Sequence, residues 1–153
     1  MSLSAEDCHY FINAMQAFGV STERLKTKAG WQVLQSWKEA FLPECHRATG
    51  HWPSGDHLWT CFDLAHIHCQ KYVRAEAAFD AASKSETYCF TNDGKPVFRC
   101  SGCSGLLAHD LRAMLFASPG IGDLYLADID LNWTFVLSHE DTVYFRQRSQ
   151  SII

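Results

Sequence analysis

The C-terminal run from Asp123 to Phe145, DLYLADIDLNWTFVLSHEDTVYF, constrains the fold more than any other part of the chain. Two apolar stretches, Leu124–Ala127 and Trp133–Ser138, are joined by Asp128-Ile129-Asp130-Leu131-Asn132. A third, Val143–Arg146, follows a short Glu140-Asp141 turn. A crossover between parallel strands needs a dozen or more residues, so connections this short predict antiparallel neighbours.

Upstream the pattern changes to helical spacing. Ser4 followed by Glu6 and Asp7 reads as a helix start, with Phe11, Ile12, Met15 and Phe18 on one stripe and Gly19 as the stop. Val33, Leu34, Trp37 and Phe41 predict a second helix from Thr22 to Leu42, ended by Pro43 and interrupted in composition by Gly30. The polar stretch Pro43–Asp56 reads as a loop. A third helix is expected from Asp56 to about Ala82 on the spacing of Leu58, Phe62, Ala65, Cys69, Tyr72, Val73 and Phe79. Glu86–Thr91 and Pro96–Arg99 read as strands around the turn signal Asn92-Asp93-Gly94, and Ser104 as the cap of a short helix through Phe116. Helices first and strands last predict an α+β domain: N-terminal helices packed on a small, mainly antiparallel sheet formed largely by the C-terminal third. Residues 1–153 read as a single domain, of a size that buries roughly 70% of its unfolded surface.

With 47% hydrophobic and 20% charged residues the chain has the balance of an ordered globule. No apolar run approaches the ~20 residues that cross a bilayer, and MSLSAEDCHYF lacks the basic and apolar regions of a signal peptide. A cytoplasmic protein without a membrane partner is expected, with its seven cysteines reduced. A net charge of −4 with scattered Lys and Arg argues against a nucleic-acid partner.

Cys100-Ser101-Gly102-Cys103 can bring two thiolates to one zinc ion, with Cys89, His109 or His139 as further ligands only through tertiary folding. No second CxxC or HxxxH accompanies it, so no metal or cofactor is assigned; Cys100, Cys103 and His109 stand as weak zinc candidates. His66-Ile67-His68-Cys69 places His66 and Cys69 on one helix face, with His57 nearby, and reads as a helix with partly buried polar residues. His139-Glu140 suggests an acid–base pair, but neighbours on a strand point to opposite faces. They can act together only if the strand ends at Ser138; otherwise His139 anchors the strand end and Glu140 faces solvent. There is no GxSxG, Walker loop, GxGxxG, HExxH or deaminase motif, and no catalytic residue is assigned.

The acids Asp123, Asp128, Asp130, Glu140 and Asp141 have no Lys or Arg among them between Arg112 and Arg146. They read either as solvated turn residues or as one negative surface able to steer a basic partner.

Two segments resemble a bacterial family of small proteins classed as a domain of unknown function. Trp133-Thr134-Phe135-Val136-Leu137-Ser138-His139-Glu140, with Tyr144-Phe145, resembles its Trp-Thr-aromatic-Val strand running into Thr-His-Glu and then Gly-Pro-Tyr-Phe. Ser138 stands at the threonine, and Thr142-Val143 at the Gly-Pro. Leu58-Trp59, Phe62 and Ala75–Asp80 resemble its Leu-Trp-His-x-Phe and Ala-x-x-Ala-Phe-Asp segments, with Thr60 in place of the histidine. The resemblance marks Trp133, Phe135, His139, Tyr144 and Phe145 as a fold signature and implies no activity. A small acidic single domain, the lack of a catalytic motif and the acid-rich C-terminal sheet together lead to the expectation of a non-enzymatic immunity protein, neutralising a cognate and basic bacterial toxin through the acidic surface. The alternative is a small metal-dependent or hydrolytic enzyme using Cys100, Cys103, His139 and Glu140.

Overall fold

A computed structural model describes residues 2–64 and 67–148. Its centre is an antiparallel sheet of seven strands in the order β1-β4-β3-β5-β6-β7-β2. These are β1 (Ser21–Arg24), β2 (Gln70–Lys71), β3 (Glu86–Thr91), β4 (Val97–Ser101), β5 (Leu124–Asp128), β6 (Trp133–Leu137) and β7 (Val143–Gln147). Six α-helices accompany it among the described residues: α1 (Ala5–Ala17), α2 (Thr27–Phe41), α3 (Pro43–Thr49), α4 (Cys61–Leu64), α5 (Tyr72–Ala81) and α6 (Ala108–Ala117). The domain is α+β, and the C-terminal third supplies three consecutive neighbours of the sheet, as the short turns require.

Helices cover both faces. On one side α1, α5 and α6 bury Phe11, Met15, Phe79, Leu111 and Met114 against Phe98, Leu126, Trp133, Phe135 and Phe145. On the other, α2 and α3 with Leu58, Trp59 and Phe62 bury Trp37 and Phe41 against Phe90, Tyr125, Val136 and Tyr144. This explains why Leu-Tyr-Leu-Ala and Trp-Thr-Phe-Val-Leu are apolar almost throughout: every residue of β6 is buried, odd positions in one core and even positions in the other. The signature residues Trp133, Phe135, Tyr144 and Phe145 are at most 6% exposed. Two polar groups that enter the core between the sheet and α2 are paired. Trp37 Nε1 donates to Thr134 Oγ1 at 2.9 Å, and that hydroxyl donates to the Leu126 carbonyl at 2.6 Å. Arg146, 6% exposed, donates to the Phe41 carbonyl and pairs with Glu44 at 2.6 Å.

Several boundaries depart from the sequence reading. The expected helix Thr22–Leu42 begins later, because Ser21–Arg24 pairs with β4 as an edge strand. Gly30 does not interrupt α2; it is buried on the helix face that lies against Val97. Pro43–Thr49, read as loop, is α3, with proline in the first turn where a missing N–H costs nothing. The expected helix Asp56–Ala82 is instead a 3-10 turn (Leu58–Thr60), α4, the short β2 and α5. Ala65 and His66, on which part of that reading rested, lie outside the described residues. Ser104 does not cap α6. That helix starts at Ala108, where Asp110 accepts from the Leu107 N–H and Asp80 from the Ala108 N–H.

Candidate functional site

The site forms where β3, β5 and the β6–β7 turn end together. Asn92, at the end of β3 with φ +49°, accepts through Oδ1 from the Asp123 N–H at 3.1 Å, and its own N–H donates to the Asp123 carbonyl at 3.2 Å. This clasp needs glycine at position 122. Gly122 has φ +72°, and a Cβ there would stand 2.3 Å from Asn92 Oδ1. Asp123 is thereby held at the mouth of β5 with its carboxylate turned inward, 1% exposed.

A buried carboxylate requires partners. Oδ1 accepts from the His139 backbone N–H at 2.7 Å and lies 2.8 Å from its ring Nδ1, so Nδ1 carries the proton. Oδ2 lies 3.5 Å from His57 Nδ1. His57 reaches this position from a left-handed backbone conformation (φ 62°, ψ 36°), a strained geometry for a residue with a side chain. The turn after it is anchored by the Trp59 N–H, which donates to Tyr125 Oη at 2.9 Å. Burial, with the Asp123 charge adding to it, pushes that tyrosine far above its ordinary range, so it remains a neutral acceptor. The imidazoles of His57 and His139 stand 5.1 Å apart, and the Trp59 ring meets both edge-on. The Trp59 indole N–H is buried with no hydrogen-bond partner among the described residues. Both imidazoles are partly open to solvent. A hollow of about 600 Å³ adjoins His139, lined by Arg112, Phe116, Leu137, Asp141 and Thr142 among others.

His57, Asp123 and His139 thus present three donor atoms within 4.8 Å of one another, the one such group among the described residues. The candidates read from sequence are disposed differently. Asp123 is not a surface acid; it is the buried centre of this cluster, because the clasp turns it inward. Asp128 and Asp130 belong to the β5–β6 turn, Glu140 and Asp141 to the β6–β7 turn, at opposite ends of β6. Five residues of strand rise separate the two pairs by about 17 Å, so the acids form no single negative face. Asp128 is a turn former that accepts from the Asn132 amide at 2.8 Å.

Cys100 and Cys103 are buried in the α1/α6 core, and His109 is exposed on α6. Cys89 is buried near both thiols, but the three sulfurs do not form a group with metal-ligating spacing among the described residues. Burial, and then the neighbouring Cys103, pushes the Cys100 thiol up to about 12, so it is protonated rather than a ready metal ligand. The His139–Glu140 pair does converge: the strand ends at Leu137, and the turn brings Glu140 Oε1 to 3.8 Å from His139 Nε2. His139 therefore belongs to the site rather than to the core, unlike the other signature residues. The sequence reading named His57 only beside the His66–Cys69 cluster and did not bring it to Asp123 and His139. The one signal was its place beside Leu58-Trp59, which with His139-Glu140 carries the family resemblance.

No curated protein sequence and no solved structure matches the chain. Residues 11–145 match the family model described as a domain of unknown function, DUF4275, and the chain belongs to that family.

Proposed function

We propose that the protein binds one divalent transition-metal ion through His57, Asp123 and His139 and uses it for hydrolysis of a substrate held in the adjoining hollow. The observation that carries this reading is the Asp123 carboxylate, buried at the mouth of a strand and facing two imidazoles. Two nitrogens and one carboxylate suit zinc, iron(II) or manganese, and three protein ligands leave positions for water and substrate. Bonds of about 2.0–2.2 Å place neighbouring donors roughly 3–3.5 Å apart; His139 Nδ1 lies 2.8 Å from Asp123 Oδ1 and His57 Nδ1 3.5 Å from Oδ2, and the three donor atoms fall within 4.8 Å of one another. A metal at His139 Nδ1 would take the place of the proton there, and in the neutral ring that proton passes to Nε2, which faces Glu140. Glu140, near Nε2, is then disposed to hold the ring from its far side, as outer carboxylates do for metal-bound histidines.

Titration of purified, tag-free protein with Zn²⁺ and Mn²⁺ by calorimetry tests the reading. One ion per chain is expected, with affinity reduced at least tenfold in His57→Ala, Asp123→Asn and His139→Ala and unchanged in Cys100→Ala. Metal binding that survives Asp123→Asn rules the site out.

A second reading remains supported by the exposed acids of the β6–β7 turn, Glu140 and Asp141, near the almost fully exposed Phe116. Such a face suits a basic protein, and the chain would then be a cytoplasmic immunity protein of bacteria that blocks a toxin. Co-expression with products of neighbouring open reading frames tests it. The reading fails if no product is toxic, or if Glu140→Lys with Asp141→Lys leaves protection intact.

A further inference from the structure

A separate hollow of about 240 Å³ opens between the end of β1, the first turns of α2 and the Gly94–Val97 segment. Its floor is apolar, with Leu3, Leu34 and Val97 all buried. Its rim carries Arg24, Lys26 and Lys95, all exposed. On one side stands Trp31, 62% exposed on a helix whose other large apolar residues, Leu34, Trp37 and Phe41, are buried in the core.

The charge distribution here opposes that of the whole chain. The protein carries a net charge of −4, yet every charged residue lining this hollow is basic. The acid close in sequence, Asp93, does not line it; Asp93 accepts from the Ser2 hydroxyl at 3.5 Å and from the Lys95 N–H at 3.2 Å. The first turn of α2 adds to the positive field, having no acidic residue and no side-chain cap.

We propose that this hollow binds a small planar aromatic anion of the nucleoside monophosphate class, its ring against Trp31 and its phosphate held by Arg24, Lys26 and Lys95. Three cations on one rim suit a phosphate dianion, with Arg24 Nη1 also 4.0 Å from Cys8 Sγ. An exposed indole beside an apolar floor suits a ring that can stack on it. The volume lies below the roughly 300–1,000 Å³ of drug-sized pockets. It therefore matches one ring system with the phosphate outside at the rim.

The test is titration of the full chain with adenosine monophosphate, followed by calorimetry and by the Trp31 indole N–H resonance, assigned by its loss in Trp31→Phe. Saturable one-to-one binding is expected. Adenosine and inorganic phosphate should each bind at least tenfold more weakly, because each lacks one half of the recognition. Trp31→Ala and the double variant Lys26→Glu/Lys95→Glu should each weaken binding at least tenfold. All three side chains are exposed, so these variants are expected to fold, and circular dichroism checks that they do. His139→Ala should leave binding unchanged, which separates this hollow from the His57–Asp123–His139 centre.

The proposal is overturned if no saturable binding occurs, or if binding survives Trp31→Ala or the double charge reversal. It is equally overturned if phosphate alone binds as well as the nucleotide, or if binding is lost in His139→Ala.

Discussion

At the scale of single residues, Asp123 decides how the C-terminal acids are understood. Its carboxylate accepts the His139 amide and faces two imidazole nitrogens, so Asp123→Ala should leave buried donors unpaired and cost about 1–3 kcal/mol in urea denaturation. Asp130→Ala, an exposed turn residue, should stay within about 0.5 kcal/mol of the parent. Equal effects at the two positions would mean that Asp123 is not the keystone of the site.

The cysteines make a different residue-scale prediction. An unfolded thiol ionises near 9.0, whereas burial holds Cys100 protonated up to about 12 and raises Cys89 well above 9.0. A folded pKa above the unfolded one means that this contribution to stability is complete below pH 9. It is then lost as pH rises toward 12, at no more than about 1.4 kcal/mol per pH unit for each thiol. The free energy of unfolding should therefore fall with pH above 9, and Cys100→Ala should make that slope shallower. An unchanged slope in the variant would show that this thiol does not govern alkaline unfolding.

At the scale of elements, the β3–β5 clasp explains why the site exists at all. Gly122 combines a left-handed backbone with a close approach to Asn92 Oδ1, whereas Gly50 is equally left-handed but has no neighbour within 4 Å of its absent Cβ. Gly122→Ala should thus cost more than Gly50→Ala, by about 1 kcal/mol or more, and should also weaken metal binding by displacing Asp123. Comparable denaturation midpoints for the two variants would refute the clasp.

The same elements show what local sequence can and cannot reveal. Ser4 caps α1 as its motif requires, accepting from the Asp7 N–H at 3.1 Å, and the C-terminal strands fall where short turns and apolar runs put them. β1 was hidden because Ser21–Arg24 is polar and mostly exposed, and owes its conformation to β4, far along the chain. The segment after Asp56 kept helical spacing although the chain breaks there, since the same apolar residues serve a 3-10 turn and two short helices. Asp123 looked like any turn acid because its burial depends on His57 and Asn92, which sequence spacing cannot bring near it.

At the scale of the whole molecule, one sheet is shared by two cores, and this raises the question of whether the chain is one cooperative unit. Trp37 lies in the α2 core and Trp133 in the α5 core, where it meets Phe79 edge-on at 5.7 Å and stacks on Phe145 at 5.6 Å. The two cores are joined through β6, because Trp37 donates to Thr134, the residue next to Trp133. Truncating Phe135, stacked on Phe79 at 4.3 Å, should cost about 3–5 kcal/mol although it touches one core alone. Since β6 cannot lose one face and keep the other, that loss should loosen both cores together. With fluorine-labelled tryptophan, the folded resonances of Trp37 and Trp133 should disappear at the same urea concentration, and Phe135→Ala should lower both midpoints equally. Separate midpoints, or a shift confined to Trp133, would mean that the two faces of the sheet fold as separate units.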